Sequence, residues 1–267
     1  MELENKRILI SGATGGIGQA IAERLAARGA TLVLSSRRRK ELRELASSLP
    51  GGLDTHEVIV SDLAKSGSAE KLIKDAGDLD GLVANAALPA SGRLEDFSSR
   101  ELGRALQVNF DAPIRMAHEL VPKLEKKGEG HLVFIASLAG HAASPRASLY
   151  AATKFGIRGF AFGLREDLRS AGVGVSVVSP GFVREAGMFA DSGAEAPGAM
   201  GTTTPQKVAK SVEKAIVRNR SEITVAPWRA VRLAKFAGRH PELAGKATNG
   251  TADKVASKVA SGQSDKR

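Results

Sequence analysis

The chain has 267 residues, enough for one generous domain or two small ones, and its 42% hydrophobic and 25% charged content argues against a disordered chain. Its formal net charge of +10 is unevenly spread: residues 1–200 hold 25 basic and 24 acidic side chains, whereas residues 201–267 hold 14 and 5. A near-neutral body with a basic C-terminal quarter argues against nucleic-acid binding over the whole surface, and zero cysteines exclude disulfides, thiolate metal sites and a Cys nucleophile.

Taken in chain order, short apolar runs at 7–11, 31–35, 57–60, 81–84, 131–136, 173–179 and 222–226 read as strands. Helix-period segments lie between them at 16–28, 38–48, 69–76, 99–126, 149–171 and 205–220. Strands that are apolar throughout and separated by helices imply a parallel sheet buried on both faces. The fold class expected is α/β, a Rossmann-type doubly wound parallel sheet of about seven strands in a single domain. Residues 1–226 form this domain, 227–245 a basic amphipathic helical extension, and 246–267 a polar tail expected to be disordered. The segment 185–204, rich in small residues, reads as a mobile loop. No signal-peptide h-region follows the N-terminus, and no uncharged stretch reaches the roughly 20 apolar residues of a spanning helix. A cytoplasmic protein is expected, and no metal site.

The first strand runs into Ser11-Gly12-Ala13-Thr14-Gly15-Gly16-Ile17-Gly18 and then an amphipathic helix. In such a turn Gly12 supplies the tight bend, Gly16 lets the chain approach a pyrophosphate, and Gly18 permits close helix–strand packing. Free N–H groups at the helix start then face the phosphates, which predicts a dinucleotide site. After the second strand comes Ser36-Arg37-Arg38-Arg39-Lys40, with no carboxylate before Glu41. A carboxylate there would bond a ribose 2′-hydroxyl, whereas a guanidinium such as that of Arg37 holds a 2′-phosphate. NADP is therefore favoured over NAD. Asp62 after the third strand is a candidate acceptor for an adenine amino group, and Asn85 with Ala86 after the fourth is placed to line a flat cofactor.

The chemical constellation lies further on. Ser137 follows the fifth strand, Tyr150 comes 13 residues later, and Lys154 follows Tyr150 at i+4, on the same helix face. A neighbouring ammonium stabilises phenolate and is expected to lower the tyrosine pKa towards a range useful for acid–base catalysis. Ser137 at a strand end can donate to the same carbonyl oxygen. Tyr150 is the only tyrosine in the chain.

These features resemble the short-chain dehydrogenase/reductase family over about residues 5–226. The resemblance rests on Gly12-x3-Gly16-Ile17-Gly18, Asp62-Leu63, Asn85-Ala86, Asn109, Ser137 with Tyr150-x3-Lys154, and Pro180-Gly181. It implies that Tyr150 is the acid/base, that Ser137 orients the substrate carbonyl, and that Lys154 holds the nicotinamide ribose. Asn109 would position a water linking Lys154 to solvent. Thr14, Ser36 and Leu63 would join the cofactor site, and Pro180, Gly181 and Val183 would border the nicotinamide. Two positions depart from the family pattern: Ala87 stands where a glycine is usual, and Glu185 where a threonine often bonds the carboxamide.

The function expected is reversible, NADP(H)-dependent hydride transfer between nicotinamide and a hydrophobic alcohol, ketone or aldehyde. Leu88, residues 138–142, Phe182, Met188 and Phe189 form the anticipated pocket wall. The alternatives are a cofactor-binding regulator without turnover and an NADP-dependent epimerase or dehydratase using the same Tyr–Lys pair. A homodimer or homotetramer is implied by the resemblance. In the C-terminal extension Arg229, Arg232, Lys235 and Arg239 recur on one side of a helix, with Leu233 and Phe236 expected largely elsewhere around it. That pattern fits either a helix packed on the body or a neighbouring subunit, or a peripheral contact with an anionic membrane.

Overall fold

The computed structural model describes residues 1–196, 200–247 and 251–263. The strands are β1 (Arg7–Ser11), β2 (Thr31–Ser36), β3 (Glu57–Val60), β4 (Gly81–Ala84), β5 (Gly130–Ile135), β6 (Val173–Pro180) and β7 (Glu222–Val225). The helices are α1 (Gly16–Ala26), α2 (Arg39–Ser48), the short α3 (Gly52–Thr55), α4 (Ser68–Asp75), α5 (Ser99–Leu106), α6 (Ala112–Lys127) and α7 (Ser148–Asp167). They continue as the short α8 (Met188–Asp191), α9 (Pro205–Val217), α10 (Trp228–Arg239), α11 (Pro241–Ala247) and α12 (Thr251–Ser261).

All seven strands are parallel, in the order β3-β2-β1-β4-β5-β6-β7. The chain winds outward from β1 to β3, then returns to β4 on the other side of β1. That reversal leaves a crevice beyond the C-terminal ends of β1 and β4, the place where such sheets bind ligands.

Alternation along each strand divides the core into two layers. Ile8, Ile10, Leu32, Leu34, Val133, Ile135 and Val178 face one way, against α1, α2 and α9. Leu9, Val33, Leu82, Leu132, Phe134, Val175 and Val177 face the other, against α4, α6 and α7. The helix starts follow local chemistry. Ser98 and Glu101 form a reciprocal capping box at α5, and Thr204 caps α9 ahead of Pro205 at its first position.

The structure departs from expectation in the helix over 99–126 and in the tail, and adds detail to the segment 185–204. The long helix expected over 99–126 is interrupted by a π-helical turn at Gln107–Asp111, between α5 and α6. The segment 185–204 contains α8, and Val183 just before it bridges Thr203; residues 197–199 lie outside the described residues. Within the tail expected to be disordered, Thr251–Ser261 is helical and docked: Asp253 pairs with Arg146 at 2.9 Å, and Gln263 Nε2 donates to Met188 O at 2.9 Å. Residues 248–250 and 264–267 of that tail lie outside the described residues. Its buried anchors, Ala260 and Gln263, are too sparse to show as an apolar pattern.

Candidate active site

The end of β5 and the start of α7 carry the candidate reactive groups. Ser137 caps a short 3-10 turn (Leu138–Gly140), its Oγ accepting from Ala139 N at 3.2 Å. Tyr150, in the first turn of α7, is hydrogen-bonded to Ser137 through its side chain. One turn on, Lys154 is only 4% exposed; its Nζ donates to Ile135 O at 2.9 Å and lies 5.6 Å from the Tyr150 ring centroid. Three residues distant in sequence thus meet because β5 and α7 lie side by side.

Burial governs the protonation of this group. Lacking a carboxylate, the Lys154 ammonium is destabilised by burial to a pKa of about 8. Burial also raises the Tyr150 phenol above its usual 10, and the hydrogen bond from Ser137 opposes that rise. This is opposite to the expected direction: desolvation outweighs the bond with Ser137. With a pKa of about 8, the lysine is close enough to neutrality to exchange protons.

Behind the reactive groups sits a set of charges that sequence reasoning missed. Arg158, one turn after Lys154, donates from Nη1 to Gly140 O at 2.8 Å and from Nε to Glu222 Oε1 at 2.8 Å. Ser179 Oγ lies 3.2 Å from the same carboxylate, and His141 Nε2 lies 3.1 Å from it. That nitrogen is not aimed along a well-formed hydrogen bond, so its contact is one of charge and proximity. Burial alone would raise the Glu222 pKa; His141 and Arg158 outweigh it and hold the carboxyl at about 2. This network joins the Ser137 turn, the Tyr150 helix, β6 and β7.

The crevice between β1 and β4 holds the glycine turn. Gly12 has φ +66°, and a Cβ there would come 2.7 Å from Ala86 Cα. At Gly18 a Cβ would overlap the carbonyl oxygen of Gly12, and at Gly16 it would overlap Ala186 of the loop after β6. The turn is tied across the sheet by the buried Ser11, whose Oγ accepts from Asn85 N (3.1 Å) and Ala86 N (3.2 Å). Asn85 Nδ2 in return donates to Ser11 O and Gly12 O. The N-terminus of α1, with Ile17 in its first turn, has neither a side-chain cap nor an acidic residue.

At the second strand the neighbouring arginines are placed differently. Arg38, not Arg37, reaches the glycine turn: its Nη2 donates to Thr14 O at 2.6 Å and its Nε to Thr14 Oγ1 at 3.2 Å. Ser36 Oγ accepts from Arg38 N at 3.1 Å, which fixes the bend, while the Arg37 side chain is exposed. Asp62 organises the turn after β3 by accepting from Ala64 N, and the adjacent Leu63 is buried.

Asn109 lies buried in the π turn. Its Oδ1 accepts from Leu88 N at 2.6 Å and its Nδ2 donates to Leu88 O at 2.9 Å, clamping the segment after β4. Ala87 is not among the positive-φ residues, so the methyl in place of the usual glycine costs no backbone strain. Glu185 does have a positive φ of 74°, and its carboxylate pairs with Arg184. Pro180, Gly181 and Val183 follow the end of β6, with Gly181 N bonded to Val225 O and Val183 buried. Of the anticipated pocket wall, the Phe182 and Phe189 rings lie 4.5 Å apart between centroids, tilted by 45°, and Leu88 is buried. Leu138 instead packs on Ala230 and Ala234 of α10.

Two of the missed residues had a signal in the sequence. Arg158 repeats the i+4 spacing that joins Tyr150 to Lys154, and Ser11 opens the glycine motif. Glu222 had none, because only the sheet order brings it there. For a dinucleotide the donor set fits: an uncapped helix N-terminus for the pyrophosphate, a guanidinium beside Thr14, and a buried ammonium next to the phenol.

The chain is similar to known proteins along most of its length. A family model described as short chain dehydrogenase matches residues 6–197. The ketoacyl reductase HetN of a Nostoc species is 32% identical over 227 residues, spanning 84% of this chain and 79% of that one. A short-chain dehydrogenase from Sphingobium yanoikuyae, solved in complex with NADPH, superposes with a TM-score of 0.77 at 25% identity, covering 93% of this chain and 99% of that one. A 3-ketoacyl-(acyl-carrier-protein) reductase from Brucella melitensis complexed with NADH gives 0.76 at 23% identity, covering 85% and 99%, a likeness of fold. With the family match running from β1 past the end of β6 over a sheet of the same build, the chain belongs to the short-chain dehydrogenase/reductase family of oxidoreductases.

Proposed function

We propose that the protein is an NADP(H)-dependent oxidoreductase that interconverts a hydrophobic alcohol and its ketone or aldehyde, with Tyr150 as the acid/base. The observation that carries this reading is the joining of Ser137, Tyr150 and the buried Lys154 at the C-terminal edge of the sheet. Bound in the β1–β4 crevice, a nicotinamide dinucleotide supplies or accepts the hydride. In the reducing direction the Tyr150 phenol gives its proton to the carbonyl oxygen, and Ser137 donates a hydrogen bond to that oxygen. The Lys154 ammonium stabilises the phenolate left behind, and the proton is restored from solvent through Lys154. In oxidation the phenolate takes the alcohol proton.

The preference for NADPH is supported by Arg37, Arg38 and Arg39 at the end of β2 and start of α2, where no carboxylate faces a ribose hydroxyl. The contact of Phe182 with Phe189, and the buried Leu88, support an apolar substrate. The deciding experiment follows NADPH and NADH oxidation against aliphatic, aromatic, steroid and acyl carbonyls. Turnover with transfer of labelled hydride to product supports the reading. Cofactor binding without turnover of any carbonyl, or recycling of the label within the cofactor, overturns it.

A further inference from the structure

The C-terminal helix α10 has a finished inner face and an unfinished outer one. Ala230 and Ala234, 1% and 5% exposed, pack on Leu138 and Ala142, and Gly238 lies against His141 O. The inner face is therefore laid directly on the turn that carries Ser137. The outer face bears Trp228, Leu233 and Phe236, which are 62%, 51% and 49% exposed, and Leu243 of α11 continues it at 55%. Between them stand Arg229, Arg232, Lys235 and Arg239, all exposed. The bases and the large apolar groups thus share one arc instead of dividing the helix between them, contrary to the sequence expectation. The Arg229 and Arg232 guanidiniums lie 5.3 and 5.9 Å from the Trp228 ring centroid.

Charge identifies the occupant. No carboxylate occurs between Glu222 and Glu242, and none of the four bases has a carboxylate partner among the described residues. Elsewhere on the surface paired bases are common, as in Arg24 and Arg28 with Glu213, or Lys127 with Asp78 and Asp80. A second copy of the chain is a poor occupant, since a two-fold contact through this face would set the same bases against one another. A folded protein would need matching pockets for side chains that project separately from a convex helix. A bilayer needs none: its acyl region receives Trp228, Leu233, Phe236 and Leu243 while the arginine and lysine heads reach back to the headgroups. No helix among the described residues is long and apolar enough to cross a membrane, so the contact is peripheral.

We propose that α10 with the start of α11 is a lipid-docking face that seats the protein on an anionic bilayer, with the Ser137 turn directly beneath it. This inference does not depend on the catalytic reading, because it concerns adsorption.

Trp228 is the only tryptophan in the chain and sits within the face, so its emission reports docking without a label. The full-length protein is mixed with vesicles of phosphatidylcholine alone or of equal parts phosphatidylcholine and phosphatidylserine, and pelleting and Trp228 emission are recorded. The expected result is co-sedimentation and a blue shift with the anionic vesicles, both weakened by salt. Arg232→Glu with Arg239→Glu lowers the affinity about tenfold or more, and Leu233→Ser with Phe236→Ser lowers it with the charges intact. All four positions are exposed, and an unchanged thermal midpoint confirms that the variants fold. Absence of anionic-vesicle binding overturns the proposal, as does binding that these variants leave undiminished. A Trp228 shift with soluble polyglutamate but not with vesicles would assign the face to an acidic protein and also overturn it.

Discussion

The two halves of the site treat charge in opposite ways. Around the glycine turn the charges are peripheral: Arg37 and Arg39 are exposed, and Arg38 spans to Thr14 with only a 3.7 Å approach to Glu41. Behind Tyr150 the charges are internal and mutually engaged, with Arg158, Glu222 and His141 enclosed between β6, β7 and α7. The first arrangement is open to an anion from outside. The second is complete without one and acts as a rigid backing. Lys154 stands between these cases, buried but bonded only to a carbonyl. The lesson is that exposure and pairing, more than the count of charges, separate a ligand site from its scaffold.

The comparison can be broken at four points. The largest effect is expected at the reactive group itself: Tyr150→Phe loses about a thousandfold in kcat for carbonyl reduction while binding NADPH as tightly as the parent, checked by steady-state assay and cofactor fluorescence titration. A loss of cofactor affinity equal to the loss of turnover would place Tyr150 in binding rather than chemistry.

Next comes the backing. Glu222→Gln leaves Arg158 and His141 facing a neutral amide and is expected to cost on the order of 3 kcal/mol at neutral pH, measured by chemical denaturation. Because Glu222 is held at about 2 in the folded protein, against 4.5 ordinarily, its contribution is present above pH 4.5 and lost as pH falls towards 2. His131 adds an earlier stage. Burial chiefly holds it neutral, at about 3 against an ordinary 6.5, so stability also declines as pH falls below 6.5. Acid titration of the parent should show both stages, and Glu222→Gln should remove only the later one.

The peripheral charges come third. Arg38→Ala is expected to weaken NADPH about tenfold with a much smaller effect on NADH, and Arg37→Ala to do so less. Equal losses for both cofactors would remove the 2′-phosphate assignment. The smallest effect belongs to the tie across the crevice: Ser11→Ala strands the N–H groups of Asn85 and Ala86, at about 1–2 kcal/mol of stability, with a modest rise in the cofactor Kd.

Much of this molecule was legible in the sequence because its signals are local. Each strand is an apolar run beside a helical period, so all seven strands and the helices that cover the sheet follow from patterning. The glycine turn and Tyr150-x3-Lys154 are motifs of fixed spacing. What escaped is set by contacts between distant segments. Glu222 reaches Arg158 only because β7 pairs with β6, and Tyr150 is desolvated by surroundings that no spacing reveals. Neighbouring arginines are interchangeable in a sequence, yet the bend at Ser36 sends Arg38 to Thr14 and leaves Arg37 in solvent. The last helix, α12, was hidden for a different reason, since its docking uses an ion pair and a single glutamine in place of an apolar stripe.

The π turn at Gln107–Asp111 has one more consequence, for how the chain tolerates a change in its length. A wide turn of this kind amounts to one extra residue absorbed inside an α-helix, whereas an insertion not absorbed would rotate everything after it by about 100°. Absorbing it keeps Met116, Leu120 and Leu124 of α6 in phase with the sheet. Deleting one residue from that turn therefore restores an ordinary helix without disturbing the buried stripe, and what disappears is the grip of Asn109 on Leu88.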